Sequence, residues 1–216
     1  MTPHRFRLLA YDFDGTLVDT KEDIALSVNL ALTELGLPER EQEEIYSFVG
    51  HGVLKLMEKA LGESDRYDVE SAVDVFRKHY RVHVMDRTQF YPDCESVLDH
   101  FKSRLQAIVS NKPLEFVEMI LAGLNRRESF ASVYGGDSVN NKKPDPEMVI
   151  HLLQQHAMPP EDALIIGDSP QDIEAGRRAG VATCGVTWGL RPRSEVENAQ
   201  PDFLIHSMTE LKKLVL

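Results

Sequence analysis

Cysteine and tryptophan are scarce in this chain: 216 residues carry only two cysteines, Cys94 and Cys184, and a single tryptophan, Trp188. Two thiols cannot build a disulfide scaffold, so packing must hold the fold, and both are expected reduced and buried in a reducing compartment, with one bridge the most they allow. No His or Cys cluster has zinc spacing. No apolar run is long enough to cross a bilayer, and the opening Met1-Thr2-Pro3-His4-Arg5-Phe6 lacks the apolar segment of a secretory leader. A soluble, cytoplasmic protein without membrane contacts is the expectation. Basic charge is short as well: 24 Lys and Arg face 35 Asp and Glu, a net charge of -11, with no long Lys/Arg run. That balance argues against a partner held by neutralising many phosphates, so no nucleic acid is expected. An anionic substrate would then need a metal or a locally basic pocket.

What the chain does have is 42% hydrophobic residues, enough for a full core, distributed in an alternating pattern. Short apolar runs at 7–13, 105–110, 132–135, 163–167 and 182–187 are separated by helical periodicity, which predicts a parallel sheet covered on both faces. Between the first two runs, residues 20–88 show no strand signal. There Ile24, Val28, Leu32 and Leu35 form one stripe, with Thr20 and Asp23 placed as a capping pair and Gly36 as the stop. Helices over roughly 41–48, 53–61 and 69–85 follow. Such an insertion reads as a helical cap over residues 19–88 on an α/β core of 1–18 and 89–216, a doubly wound, Rossmann-like parallel sheet. The crossings at 17–20 and 86–91 could hinge it.

Four segments place chemistry at strand ends or helix starts. In Asp12-Phe13-Asp14-Gly15-Thr16 two carboxylates spaced two apart follow an apolar strand; Asp-Gly is also an ordinary turn, but two such acids repel without a cation. Ser110-Asn111-Lys112-Pro113 joins a hydroxyl to a helix start, either a plain cap with Pro at the first helical position or a phosphate site. Lys142-Lys143-Pro144-Asp145-Pro146 puts lysines where the helix dipole disfavours them, unless an anion is bound there. In Gly167-Asp168-Ser169-Pro170-Gln171-Asp172, Ser169 and Asp172 match a capping box, whereas Asp168 has no local partner and would complete an all-oxygen Mg²⁺ site. A doubly wound sheet brings all four to one crevice.

D-x-D-G-T-L-V-D-T, S-N-K, K-P-x-P and G-D-x-x-x-D, in that order over nearly the whole chain, identify a resemblance to the haloacid dehalogenase superfamily. The resemblance implies that Asp12 is the nucleophile and becomes an aspartyl phosphate, and that Asp14 is the general acid and base. Ser110 and Lys143 would bind the phosphoryl group, with Thr16 and Asn111 beside it. Mg²⁺ would rest on Asp12, Asp168 and the Asp14 backbone carbonyl, with Asp172 joining through a water or serving only as a helix cap. Asp14 points to phosphatases, since dehalogenases lack that acid and cation-pumping ATPases carry Thr there. Phe48-Val49-Gly50-His51-Gly52-Val53-Leu54-Lys55-Leu56-Met57 is similar to the cap segment of bacterial phosphoglycolate phosphatases; Gly50, His51 and Gly52 would either present N–H groups to a substrate carboxylate or merely permit a turn.

The reading is therefore a Mg²⁺-dependent phosphatase of a small phosphorylated metabolite, with phosphoglycolate the substrate that the cap resemblance implies, as monomer or homodimer. Pyrophosphatase, sugar-phosphate phosphatase and phosphomutase are the alternatives within the superfamily. The mutase is the weaker of these, because Ile24 stands where a catalytic His is expected. A phosphoacceptor signalling domain is the alternative of another class, disfavoured by the insertion and by Asp14. Trp188 is read as packing, and Arg191 and Arg193 as solvated.

Overall fold

The computed structural model describes residues 6–62 and 67–215; the opening Met1–Arg5 lies outside them. The chain runs β1 (Leu8–Tyr11), β2 (Val18–Asp19), α1 (Lys21–Glu34), α2 (Gln42–Phe48), α3 (Val53–Leu61), α4 (Val69–His83) and β3 (Gln89–Phe90). It continues with α5 (Cys94–His100), β4 (Leu105–Val109), α6 (Leu114–Gly123), β5 (Ser132–Tyr134), α7 (Glu147–Gln155), β6 (Ala163–Gly167) and α8 (Pro170–Ala179). Last come β7 (Ala182–Val186), α9 (Arg193–Asn198), β8 (Phe203–Ile205) and α10 (Leu211–Leu214).

Six strands form one parallel sheet in the order β5-β4-β1-β6-β7-β8. The alternation of β1 explains its two covers: Leu9 and Tyr11 enter one core, Leu8 and Ala10 the other, where Met148, Val149 and Leu152 of α7 close over them. From β1 the chain first builds β4 and β5 on one side, then returns to β6, β7 and β8 on the other. That reversal beside β1 leaves a crevice at the carboxyl ends of the strands. Both cysteines are buried and free. Among the described residues no helix is long and apolar enough to cross a membrane.

Two expectations change, and one strand appears that the sequence pattern does not show. β1 is shorter than residues 7–13, because the Phe13 carbonyl gathers the N–H groups of Thr16, Leu17 and Val18 and turns the chain. The edge strand β8, three residues long and only partly buried, carries too little pattern to be foreseen. Thr20 and Asp23 do not cap α1: the Thr20 hydroxyl donates to Asp14 Oδ1 at 2.7 Å, while Asp23 accepts from the Arg87 and Thr88 N–H groups and the Thr88 hydroxyl at 2.7–3.0 Å. The start of α1 is thereby tied to the returning segment. The two crossings pair with each other as well, Val18 with Phe90 and Asp19 with Gln89, in a small antiparallel ribbon. The four helices α1–α4 lie between its strands, and Gly36 ends α1 with φ 67°.

Candidate active site

At the carboxyl edge of β1 and β6, Asp12, Asp168 and Asp172 are buried, and one oxygen from each lies within 4.8 Å of the others. Lys143 reaches between them, its Nζ 2.7 Å from Asp12 Oδ1 and 2.5 Å from Asp172 Oδ1. The second Asp172 oxygen accepts from the Ser169 N–H and hydroxyl, at 3.1 and 2.6 Å, so this carboxylate both caps α8 and anchors the lysine. Asp168 Oδ2 accepts the Leu190 N–H at 2.7 Å. Two glycines make room for Asp168: a Cβ on Gly15 or Gly189 would fall 2.4 or 2.3 Å from its Oδ2, and Gly15 also sits at φ +90°.

Crowding acids in a dry site perturbs them. Burial raises the Asp12 carboxyl well above its usual range, with Asp172 and Asp168 adding to the rise and Lys143 opposing it. Burial and the Asp172 charge push Asp168 up to about 7, against the Leu190 N–H, Arg191 and Lys143. Burial alone would lower Lys143, but Asp12 and Asp172 outweigh it and hold the ammonium above the ordinary lysine range. Three clustered carboxyl groups with one ammonium among them form an oxygen-only donor set, which suits a hard divalent cation that can displace their protons.

Asp14 stands apart from this cluster. Lys112 Nζ donates to both its oxygens, at 3.0 and 3.1 Å, and to the Tyr80 hydroxyl on α4 at 2.8 Å. Burial presses Lys112 below the usual lysine range and the Asp14 charge works against that. The sequence does not single out this lysine as a site residue, although it lies inside the quoted S-N-K; only the fold reveals the partner 98 positions away.

A cavity of about 50 Å³ joins these groups, with Ser110 on its core wall and Gly50, Gly52, Val53, Phe76 and Tyr80 on the side of the inserted helices. Several expected contacts lie elsewhere. Thr16 is buried behind the cleft, where its carbonyl accepts the Trp188 indole N–H at 3.2 Å, so Trp188 is packing as expected. Asn111 lines the cavity but uses its amide within the protein. Its Nδ2 donates to the carbonyls of Gly50 and Lys143, and its Oδ1 accepts the Lys143 N–H, at 2.9–3.0 Å. It thus holds the Lys143 backbone from both sides. No cap from Ser110 or Asn111 starts α6; Asp137 accepts the Leu114 N–H instead.

His51 is exposed and faces Arg191, whose Nη2 lies 3.4 Å from its Nδ1; burial and that guanidinium lower its pKa. Arg191 is not simply solvated. It lines the cavity and donates to the carbonyls of Ser47 and Val49 at the end of α2, a link the exposed-looking sequence around it does not announce.

The family model for haloacid dehalogenase-like hydrolases matches residues 9–186. The chain belongs to that family. It is 40% identical over 212 residues to a phosphoglycolate phosphatase of Aquifex aeolicus, covering 97% of this chain and 96% of that one. Among solved structures it resembles a predicted phosphoglycolate phosphatase of Haemophilus somnus, with a TM-score of 0.86, 27% identity and coverage of 96% and 97%. A haloacid dehalogenase-like family hydrolase of Streptococcus pneumoniae gives a TM-score of 0.86 at 26% identity, with coverage of 96% and 97%. The expected family, the enzyme class of hydrolase and the doubly wound core with inserted helices therefore hold.

Proposed function

We propose that this protein hydrolyses phosphoglycolate through a phosphoryl group carried on Asp12. The observation that carries the reading is Asp12 itself, an acid at the strand end held 2.7 Å from Lys143 inside the carboxylate cluster. An Asp12 oxygen attacks phosphorus, the bond to the ester oxygen breaks, and Asp14 gives that oxygen a proton. A water then attacks the aspartyl phosphate, Asp14 takes its proton, and Asp12 and inorganic phosphate separate. Dividing one displacement into two lowers each barrier. Lys143 and Ser110 receive phosphoryl oxygens. Asp12, Asp168 and the Asp14 carbonyl, with Asp172 beside them, would hold Mg²⁺, which would supply positive charge against the negative charge of the phosphoryl group.

The substrate assignment is supported by the names of the relatives and by the cavity. Arg191 adds a cation to its wall for a second anionic group. Ile24 on that wall offers no proton to exchange, which favours hydrolysis over a mutase. Residues 19–88 act in this reading as a cap over a core of 1–18 and 89–216, hinged at the β2–β3 ribbon, and the protein is read as a cytoplasmic monomer or homodimer. A phosphate-release panel of phosphoglycolate, pyrophosphate, hexose phosphates and nucleoside monophosphates, with and without Mg²⁺, tests the assignment. Phosphoglycolate should have the highest kcat/KM, and release without metal should be negligible; a clear preference for another ester removes the substrate assignment.

The raised Asp168 carboxyl fixes the sign of a pH effect. With about 7 in the folded state and about 4 unfolded, this group stabilises the metal-free protein at acid pH, and that contribution is lost as pH rises through 7. Mg²⁺ competes with the same proton. Its addition should therefore raise Tm more at pH 8 than at pH 6, as read by thermal unfolding; an equal increment at both would contradict the assignment of Asp168 as a ligand.

A further inference from the structure

We infer that Tyr80 is a positioning residue for proton transfer: its hydroxyl fixes Lys112, and Lys112 in turn sets the plane of the Asp14 carboxylate. The inference rests on the role of Asp14 proposed above and adds a contribution from α4, outside the strand-end motifs.

Every donor of Lys112 has an acceptor. An ammonium has three N–H donors, and Lys112 has three acceptors around it, two Asp14 oxygens at 3.0 and 3.1 Å and the Tyr80 oxygen at 2.8 Å. Thr20 holds only Asp14 Oδ1, which leaves the carboxylate free to rotate about that single bond. Lys112 contacts both oxygens and removes that freedom. What fixes Lys112 is Tyr80, itself clamped between Phe76 and Phe116 with ring centroids 5.2 and 4.8 Å away, and only 1% exposed. Without the hydroxyl, one N–H of a buried ammonium loses its oxygen acceptor and keeps only the ring face, whose centroid lies 4.7 Å from Nζ. Nζ must then turn toward another oxygen, and Asp14 turns with it. Because proton transfer to a leaving oxygen needs an aligned heavy-atom distance of about 2.6–3.2 Å, the loss falls on that step alone.

Tyr80→Phe keeps the ring and its packing. The experiment compares kcat/KM, which reports the steps through transfer to Asp12, for phosphoglycolate and for p-nitrophenyl phosphate, in Mg²⁺. An alkoxide needs the proton of Asp14 to leave, whereas p-nitrophenolate leaves without it. Tyr80→Phe should lower kcat/KM for phosphoglycolate about tenfold, part of the roughly 10²–10⁴ that general acid catalysis contributes, and change p-nitrophenyl phosphate by less than about twofold. Lys112→Met should show the same split, and the double variant should lose no more than Lys112→Met, because the two residues act in series.

Asp14→Asn in the same assay separates the two levels. If it spares the aryl ester while Tyr80→Phe slows both esters alike, or if the Tyr80 and Lys112 losses multiply, the positioning role is overturned and the acid role of Asp14 stands. If Asp14→Asn slows both esters equally, the acid role falls and the inference with it.

Discussion

Asp12→Asn is expected to abolish hydrolysis, with a loss in kcat on the order of 10⁴ or more, because the amide oxygen is a poor nucleophile. The fold should survive. Asn keeps an oxygen able to accept from Lys143 Nζ at the 2.7 Å contact, and it relieves a buried carboxyl from the repulsion of Asp172 and Asp168. Steady-state phosphate release beside urea unfolding checks both halves. Substantial remaining turnover would remove Asp12 from the nucleophile's place; a large loss of stability would mean that its charge is structural.

Lys143→Met should cost both activity and stability, and the second loss is the more telling. Lys143 is the cation between Asp12 and Asp172, with side-chain exposures of 2%, 11% and 1% for the three groups. Taking one partner from a buried pair leaves charge uncompensated, a penalty of about 3–5 kcal/mol. Phosphate release should fall by about 10³-fold, on the scale of losing one preorganised charge at the reacting group. Mg²⁺ should recover part of the stability, since it supplies positive charge to the same oxygens, but not the activity. Urea unfolding with and without Mg²⁺ measures this. A variant as stable as the parent in metal-free buffer would show that the three acids do not share Lys143 as their counter-charge.

These effects differ in how far the sequence discloses them. Asp12, Ser110 and Asp168 are legible because each follows a continuous apolar run, and buried parallel strands are the segments whose pattern is local and strong. Lys143 is legible only through the K-P-x-P motif: α7 begins at Glu147, so the lysine lies in the loop before it and the expected opposition to a helix dipole does not hold. Contacts that close over long separations are another matter. Thr20 and Asp23 carry a valid capping pattern, yet tertiary partners, Asp14 for one and the Arg87–Thr88 backbone for the other, take their oxygens instead. Lys112 and Arg191 look like ordinary solvated cations until folding sets the first against Asp14 and the second against the carbonyls of Ser47 and Val49. Asn111 belongs to the same class: its motif position is visible, but its three hydrogen bonds to Gly50 and Lys143 depend on segments 61 and 32 residues away. Three residues of edge strand, Phe203–Ile205, are too short for periodicity to speak.

The account turns on a phosphoryl group carried by Asp12. Rapid quenching of the enzyme with phosphoglycolate and Mg²⁺, followed by borohydride, reduces an aspartyl phosphate to homoserine that peptide mass spectrometry can place. Homoserine at position 12, absent when substrate is omitted, is the predicted result. Homoserine at another position, or none under conditions where phosphate is released in the first turnover, would contradict it.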